Sequence, residues 1–396
     1  MSGIPATQTI AALNALKQPY TIIERSPIPV IKDDREVLVK CQVIGLNPID
    51  WKAPDFGFGI PSLPYIAGRE LSGHVVKTSK AASRLKEGDQ VIVISTDYRD
   101  LRKAAYQEYV ISSDFNVVKI PPTLSLRSGA TIGVAFVATA LALGICMGVD
   151  FSTVAGGPDL IKLVKSVDRE SLPEDIRTEC LDNIIPSERA LSGDWVIIWG
   201  GSSTSANIAL QLARLAGLRV VTVVDKAKHG LRLSTHQTLR PDLLIDSHDP
   251  DRVVEILKSN FNGQLRFALD TRGRDSASAL AKALQRLQNS DRSPPTPPGT
   301  PKGTRITRSH LVGLTGLPKD PAGDSLVYHT VPIKLYHEVP AVGEALSLWL
   351  ERLLENKLLE TPDILAVDEG FDGINKGLER MRRGEISGGK AIVSLE

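Results

Sequence analysis

Two glycines and a run of hydroxyl residues stand together near the middle of the chain, at Gly200-Gly201 and 202–205. Before them, Trp195 to Trp199 are apolar and partly β-branched, which is typical of a buried parallel strand. After them, apolar residues recur at helical spacing until Gly217, and a second apolar run extends from Arg219 to Val224. The order strand, glycine turn, helix, strand predicts a βαβ unit.

The chemistry that such a turn could perform is the binding of phosphate groups. The free N–H groups at a helix N-terminus carry partial positive charge, which suits a dinucleotide pyrophosphate. Gly200 and Gly201 let the backbone come close to the phosphate groups. The usual third glycine is absent, but Ala206 is small enough for the helix to pack tightly on the strand. Hydroxyl groups that could donate to phosphate oxygens belong to Ser202, Ser203, Thr204 and Ser205. We therefore predict a nucleotide site, against the alternative of a βαβ element without a ligand.

The residues after the second strand bear on the choice of nucleotide. Asp225 ends this strand, where a carboxylate ordinarily binds a ribose diol and favours NAD. Basic residues follow that could instead neutralise a 2′-phosphate, namely Lys226, Lys228, His229 and Arg232. A solvated charged face is the alternative interpretation of the same residues. The balance favours NADPH.

Composition excludes several classes of function. The chain has 396 residues, enough for two domains, and a formal charge of +1, which argues against binding to nucleic acid or to anionic membranes. No apolar run reaches the roughly 20 residues that a membrane-spanning helix needs, and no signal peptide is visible, so we expect a cytoplasmic protein. Three scattered cysteines, Cys41, Cys146 and Cys180, fit neither a disulfide framework nor a zinc motif.

Hydrophobic patterns divide the chain into three parts. Alternating strands dominate residues 1–135, and the segment around Asn47 and Asp50 interrupts them before a loop rich in glycine and proline. Strands and helices alternate through 136–335, which predicts a parallel sheet with a surface insertion at 150–190 and a proline-rich loop at 292–304. A strong amphipathic helix at 338–356 opens the last part, 336–396, whose final strand is expected to rejoin the first domain.

Three motifs resemble the medium-chain dehydrogenase/reductase superfamily, namely GLNPIDWK, IAGRELSGHV and GLERMRRGEISGGKAIVSL. The resemblance implies an α/β fold with an N-terminal GroES-like β domain, completed by the C-terminus, and a Rossmann domain. Where the zinc enzymes of this superfamily carry Cys and then His, this chain has Asn47 and Arg69, and the third ligand position is apolar near Val134 to Val137. The resemblance therefore points to the zinc-free branch, with no metal in the active site.

Within that branch the chain looks most like the fungal trans-acting enoyl reductases, which work with polyketide synthases. This likeness implies hydride transfer from NADPH to the β-carbon of an enoyl thioester, followed by protonation of the α-carbon. Lys52 is then the candidate that stabilises the enolate oxygen. Its ammonium could also bind a nicotinamide ribose hydroxyl or supply a proton through water, and a solvated loop lysine is the alternative. Asn47 is expected to lie on the cofactor side, bracing its loop together with Asp50. Thr139 is near a threonine that the family uses, although alignment without gaps places Ala138 there.

Two other functions share these motifs. A zinc-free quinone or ketone reductase would differ only in its substrate pocket, and a nucleotide-binding scaffold that docks on a synthase would lack catalysis. Because the proline-rich loop is expected near the sheet edge through which the superfamily often pairs, the sequence favours a monomer.

Overall fold

The computed structural model describes residues 4–79, 84–261, 264–285 and 308–395. Its β-strands, in chain order, are β1 (Thr7–Leu13), β2 (Thr21–Pro27), β3 (Glu36–Gly45), β4 (Tyr65–Ile66), β5 (Glu70–Thr78), β6 (Gln90–Ile94), β7 (Tyr109–Ser113), β8 (Val117–Lys119), β9 (Trp195–Trp199), β10 (Arg219–Val224), β11 (Leu243–Asp246), β12 (Phe267–Asp270), β13 (Ser309–Gly313), β14 (Leu326–His329), β15 (Ile364–Glu369) and β16 (Lys390–Ser394).

The α-helices, in the same order, are α1 (Pro48–Phe56), α2 (Leu126–Gly129), α3 (Gly133–Leu141), α4 (Leu160–Ser166), α5 (Glu174–Leu181), α6 (Thr204–Leu215), α7 (Lys226–Thr235), α8 (Pro250–Phe261), α9 (Arg274–Leu284), α10 (Lys334–Glu338), α11 (Pro340–Glu355) and α12 (Asp372–Arg382). A π-helical turn, Ala142–Cys146, continues α3. Short 3-10 turns occupy Leu101–Lys103, Asp114–Asn116, Arg169–Ser171 and Pro186–Glu188.

The N-terminal domain is a β structure that both ends of the chain build. One sheet has the order β2-β1-β4, and a larger one has the order β15-β16-β3-β5-β6-β8, with β7 paired to β3. Strand β16 runs antiparallel to β3, with Ile392 opposite Gly45. The predicted return of the last strand to the first domain is therefore confirmed.

The second domain is a parallel sheet in the order β11-β10-β9-β12-β13-β14. Strand β9 lies inside this sheet between β10 and β12, and helices cover it, so Val196, Ile197 and Ile198 are fully buried. Burial on both faces explains why the strand is a continuous apolar run rather than an alternating one. The βαβ unit predicted from the sequence is confirmed, with the strand bounds that the apolar runs indicated.

One segment corrects the expectation that no apolar run is long enough to cross a membrane. In the described part of the chain, the helical stretch Leu126–Cys146 is 21 residues long with mean hydropathy 2.0, and 89% of its most apolar window is buried inside the protein. It is therefore a core helix. The ring of Phe136 in this helix packs on Trp349 of α11, with ring centroids 5.4 Å apart.

The insertion at 150–190 is ordered and partly helical. Helix α4 packs against α5 and α11, and α5 packs against the π-helical turn Ala142–Cys146. The proline-rich loop at 292–304 lies outside the described residues. The predicted domain boundaries at 135 and 335 fall within α3 and α10, and they remain predictions.

Candidate nucleotide and active site

The glycine turn between β9 and α6 lies directly against the neighbouring strand β10. The N–H groups of Gly200 and Gly201 both donate to the carbonyl of Val223, at 3.0 and 3.1 Å. Gly200 has φ +86°, and a Cβ atom on Gly201 would lie 1.9 Å from Cγ2 of Thr222. Glycine is therefore required at both positions, at one by conformation and at the other by space.

Ser203 and Thr271 fasten this turn. The Ser203 hydroxyl accepts from the N–H of Ala206 at 3.1 Å, as a helix cap does, and donates to Oγ1 of Thr271 at 3.0 Å. Thr271 in turn donates to the carbonyl of Trp199 at 2.9 Å. The predicted phosphate contact from the Ser203 hydroxyl therefore competes with its structural role. Thr271 was missed from the sequence, although its place just after β12, beside the turn, could have indicated it.

The remaining hydroxyl residues of the turn are open to a ligand. Ser202, Thr204 and Ser205 are half-buried. Among the described residues, no backbone carbonyl accepts a hydrogen bond from their N–H groups. These groups stand at the N-terminus of α6, a helix of 12 residues. Free N–H groups, hydroxyls and a close glycine backbone together fit a pyrophosphate.

Acidic and basic side chains stand together at the end of β10. Asp225 caps α7 by accepting from the N–H of Lys228 at 3.0 Å, and the side chains of Lys226 and Lys228 are exposed. Across the sheet edge, His248 contacts Asp246 at 3.1 Å, and that hydrogen bond raises the pKa of His248. Basic side chains and the carboxylates of Asp225 and Asp246 thus lie together at the end of β10, and the cofactor role of Asp225, Lys226 and Lys228 remains a prediction.

A buried polar cluster joins α1, β5 and β16, and we call it the Lys390 cluster: Asn47, Glu70 and Lys390. The Lys390 ammonium donates to Oδ1 of Asn47 at 2.7 Å and pairs with the Glu70 carboxylate. Asn47 donates from Nδ2 to Glu70 Oε1 at 3.0 Å, and the N–H of Val134 donates to Glu70 Oε2 at 2.9 Å. The cluster thus links the first domain, the last strand and the start of α3.

The Lys390 cluster does not suit zinc. Zinc needs thiolate, imidazole or carboxylate donors, whereas here an ammonium and an amide surround a single carboxylate. The amide of Asn47 is held by Glu70 and Lys390, so the structure gives it a bracing role, and its contact with a nucleotide remains a prediction. Glu70 and Lys390 were not singled out from the sequence, although both stand inside motifs that carried the resemblance.

Lys52 lies on a helix rather than on the loop that the sequence suggested. Pro48 occupies the first helical position of α1, and the N–H of Asn47 donates to the Asp50 carboxylate at 2.9 Å, so the Asn-Pro pair begins a helix. Lys52 is half-buried, and its Nζ lies 5.7 Å from the ring centroid of Trp51. Among the described residues, no carboxylate oxygen lies within 4.0 Å of this ammonium. Its charge is available to a ligand, and its catalytic role remains a prediction.

Thr139 and Ala138 lie on different sides of α3. Thr139 is fully buried and its hydroxyl donates to the carbonyl of Ala135, at 2.7 Å. Ala138 is half-buried on the more accessible side of the same helix. The position that alignment without gaps assigned to the family threonine is thus the accessible one, and here it holds alanine. A catalytic role of Thr139 remains a prediction without a supporting contact.

The buried carboxyl of Asp50, on the same helix as Lys52, makes the stability of the protein depend on pH. Burial raises the pKa of this carboxyl to about 6 from 3.8, in spite of the opposing charge of Arg69. The folded protein therefore binds the proton more tightly than the unfolded chain, and stability falls as the pH rises from about 4 through about 6.

Asp50→Asn should remove this loss of stability. A shift of about two pKa units corresponds to about 3 kcal/mol over the whole titration. Between about pH 5 and about pH 8, the unfolding free energy of the variant relative to that of the wild type should therefore rise by about 1.5 kcal/mol. Urea unfolding of both proteins at the two pH values measures this gain. A difference in unfolding free energy that does not change with pH would contradict it.

The chain is similar to known proteins in both sequence and fold. Residues 33–122 match the alcohol dehydrogenase GroES-like domain. The chain is 26% identical over 382 residues to the trans-enoyl reductase pvhC of Talaromyces variabilis, covering 93% of this chain and 92% of that protein. It is 26% identical over 400 residues to the trans-enoyl reductase caaB of Aspergillus niger, covering 99% and 98%.

Solved structures share the fold over nearly the whole chain. An alcohol dehydrogenase superfamily protein from Novosphingobium aromaticivorans superposes with a TM-score of 0.69 at 17% identity, and the superposition covers 98% of this chain and 100% of that protein. Escherichia coli quinone oxidoreductase complexed with NADPH gives 0.67 at 16% identity, with 98% and 100% coverage. The CurK enoyl reductase gives 0.66 at 16% identity, again with 98% and 100% coverage. The predicted combination of a GroES-like domain and a Rossmann domain is confirmed.

Proposed function

We propose that this chain, a relative of the fungal trans-enoyl reductases with the medium-chain dehydrogenase/reductase fold, is an NADPH-dependent enoyl reductase. It reduces the α,β-double bond of an acyl thioester presented by a polyketide synthase. The observation that carries this proposal is similarity to trans-enoyl reductases along 99% of the chain in the case of caaB. The glycine turn and the Lys390 cluster support a nucleotide-dependent mechanism without active-site zinc.

The Rossmann domain supplies the nucleotide site. The N–H groups of Ser202, Thr204 and Ser205 bind the pyrophosphate, and the basic residues of α7 favour the 2′-phosphate of NADPH. When bound, the reduced nicotinamide supplies the hydride. The turn itself is kept rigid by Ser203 and Thr271, so the site is preorganised.

The N-terminal domain supplies the positive charge for the acyl group. Lys52 lies on α1, which the Lys390 cluster anchors through Asn47. Its ammonium stabilises the oxygen of the thioester as negative charge develops there, and through water it delivers a proton to the α-carbon. Lys52 then regains its proton from solvent, which restores the ammonium for the next turnover.

The biological setting follows from the same proposal. The protein is a separate, cytoplasmic partner of a polyketide synthase and acts on its tethered thioester as a monomer. Size measurement in solution tests the last point, since a mass near 42.8 kDa is expected. A mass of about twice that value would show pairing through a sheet edge instead.

Turnover with defined acceptors tests the reaction. The purified chain is mixed with NADPH and a crotonyl-type thioester, with a quinone, or with no acceptor, and nicotinamide absorbance is followed. Loss of absorbance with the thioester alone is expected. Turnover with the quinone alone would favour the quinone reductase, and NADPH binding without turnover on either acceptor would favour the scaffold.

Gly200→Ala should weaken NADPH binding. Alanine is strained at φ +86°, and its Cβ would lie 2.2 Å from Oγ1 of Thr271, so the turn must move away from the phosphate position. We expect the Kd for NADPH to rise at least about tenfold, equivalent to about 1.4 kcal/mol. Titration by nicotinamide fluorescence measures this change. Gly193→Ala is the matched control, because Gly193 also has positive φ but has no heavy atom within 4 Å of an added Cβ. An equal loss of affinity in the control would contradict the assignment of the turn.

A further inference from the structure

Three side chains that could bind a metal meet inside the Rossmann domain, away from the Lys390 cluster: Cys146, Glu179 and His329. Their ligand atoms all lie within 4.8 Å of one another. Cys146 ends the π-helical turn, Glu179 lies on α5 of the insertion, and His329 ends β14. Cys146 and His329 are fully buried. Thiolate, carboxylate and imidazole are the donors that zinc binds in proteins.

Each of two ligands is oriented by a further side chain. Nδ1 of His329 lies 2.6 Å from Glu179 Oε1, and its Nε2 lies 2.9 Å from Nδ1 of His310. Asn183 donates from Nδ2 to Glu179 Oε2 at 2.6 Å. Metal-binding histidines usually use their second ring nitrogen in such a hydrogen bond, which fixes the ring and its tautomer.

Without a bound cation, the hydrogen-bond chain through two neutral histidine rings ends on a nitrogen that has no partner among the described residues. With both rings neutral, His329 donates from Nδ1 to Glu179, so its Nε2 must accept from His310 Nδ1–H. Nε2 of His310 is then bare of hydrogen and faces the Glu188 carboxylate at 3.7 Å. This buried nitrogen has no hydrogen-bond partner among the described residues. An acceptor pointing at a carboxylate is an unfavourable arrangement in a buried place.

A cation on Nδ1 of His329 reverses this arrangement. Nε2 of His329 then carries the hydrogen and donates to Nδ1 of His310, and the proton of His310 moves to its Nε2. That N–H points at the Glu188 carboxylate, which also binds Arg308 at 2.8 Å. An N–H group then faces the carboxylate at 3.7 Å in place of a bare nitrogen, so repulsion between the two groups becomes attraction.

We propose that Cys146, Glu179 and His329 bind Zn²⁺, with water as the fourth ligand, and that the metal fastens the insertion to the parallel sheet. Binding removes the thiol proton of Cys146, which passes to solvent, and the two imidazoles only exchange tautomers. One proton is therefore released for each metal ion bound. The Glu179 side chain is 13% exposed, so water and metal reach the site along it.

The sequence did not indicate this site, because its three scattered cysteines fit no zinc motif. Its ligands are separated by 150 positions between Glu179 and His329, so no short motif marks them. Only the packing of α5 on the π-helical turn and on the end of β14 brings them together. A π-helical turn at a ligand position is a common feature of functional sites.

Cobalt substitution of the full chain tests the proposal. The purified protein is stripped with a chelator and titrated with Co²⁺. We expect a near-ultraviolet sulfur-to-cobalt band and the visible bands of tetrahedral Co²⁺ at about one equivalent, both abolished by Zn²⁺. Absence of the sulfur-to-cobalt band in the wild type would overturn the proposal and leave a metal-free hydrogen-bonded cluster.

Variants assign the band to its ligands. Cys146→Ala and His329→Gln should each weaken Co²⁺ binding at least about tenfold. The double variant Cys41→Ala/Cys180→Ala leaves Cys146 as the last of the 3 cysteines and should keep the band. This double variant keeps the test decisive even where Cys146→Ala does not fold. A band that is lost in it would overturn the assignment to Cys146.

Discussion

Replacing Lys52 by alanine is expected to lower kcat for a crotonyl-type thioester by about 10²–10³-fold, the range found when one stabilising donor is removed. The reason is electrostatic. The ammonium is half-buried on α1, and no carboxylate of the described residues lies within 4.0 Å to neutralise it. A charge that is already in place costs no reorganisation when the enolate oxygen forms.

The split between kcat and nucleotide affinity identifies what Lys52 does. If the ammonium stabilises the enolate, kcat falls and the Kd for NADPH changes by less than about threefold. If it holds a nicotinamide ribose hydroxyl instead, the Kd rises and kcat changes less. Lys376→Ala, an exposed lysine on α12, is the matched control and should keep wild-type kcat. A wild-type kcat in Lys52→Ala would make this lysine a bystander.

Replacing Lys390 by methionine is expected to cost about 3–5 kcal/mol of unfolding free energy, because it leaves a buried charge without its partner. Glu70 is completely buried, and Lys390 is 3% exposed. Once the ammonium is gone, the donors that the described residues still give to the Glu70 carboxylate are neutral, namely the amide of Asn47 and the N–H of Val134. Denaturant unfolding of the two proteins measures the difference.

Removing both charges separates the ion pair from simple packing. In Lys390→Met/Glu70→Gln no charge is left uncompensated, so much of the lost stability should return. Lys119→Met is the matched control, because Lys119 pairs with Asp89 at 2.9 Å at a partly exposed place, with side-chain exposures of 37% and 25%. It should cost less than about 1 kcal/mol. Equal losses for Lys390→Met and Lys119→Met would show that burial does not strengthen the pair.

Local patterns predicted the central unit well. The apolar runs around the glycine turn indicated both strands with the bounds that the structure has. A strand buried on both faces is apolar at nearly every position, so it begins and ends where the apolar run does. The Asn-Pro segment was harder, because proline both ends strands and begins helices. There the sequence suggested a loop, and the structure has α1.

Residues far apart in the chain form the parts of the site that were missed. Glu70 and Lys390 are 320 positions apart, and their partnership arises only because β16 pairs with β3 beside β5. Thr271 likewise meets Ser203 because β12 lies next to β9. No periodicity within one segment can report such contacts, since periodicity records which side of an element is buried but not what lies against it.

By itself the sequence determined the two-domain α/β organisation and the glycine turn, and it has Asn47 and Arg69 at the positions where the resemblance would put zinc ligands. These depend on residue type and short spacing, which backbone conformation and donor chemistry translate directly into structure. Only the tertiary structure decided that Lys390 and Glu70 occupy the buried centre, that Ala138 rather than Thr139 is accessible, and that Cys146, Glu179 and His329 converge. These depend on how elements pack, because burial and distance are properties of the whole fold.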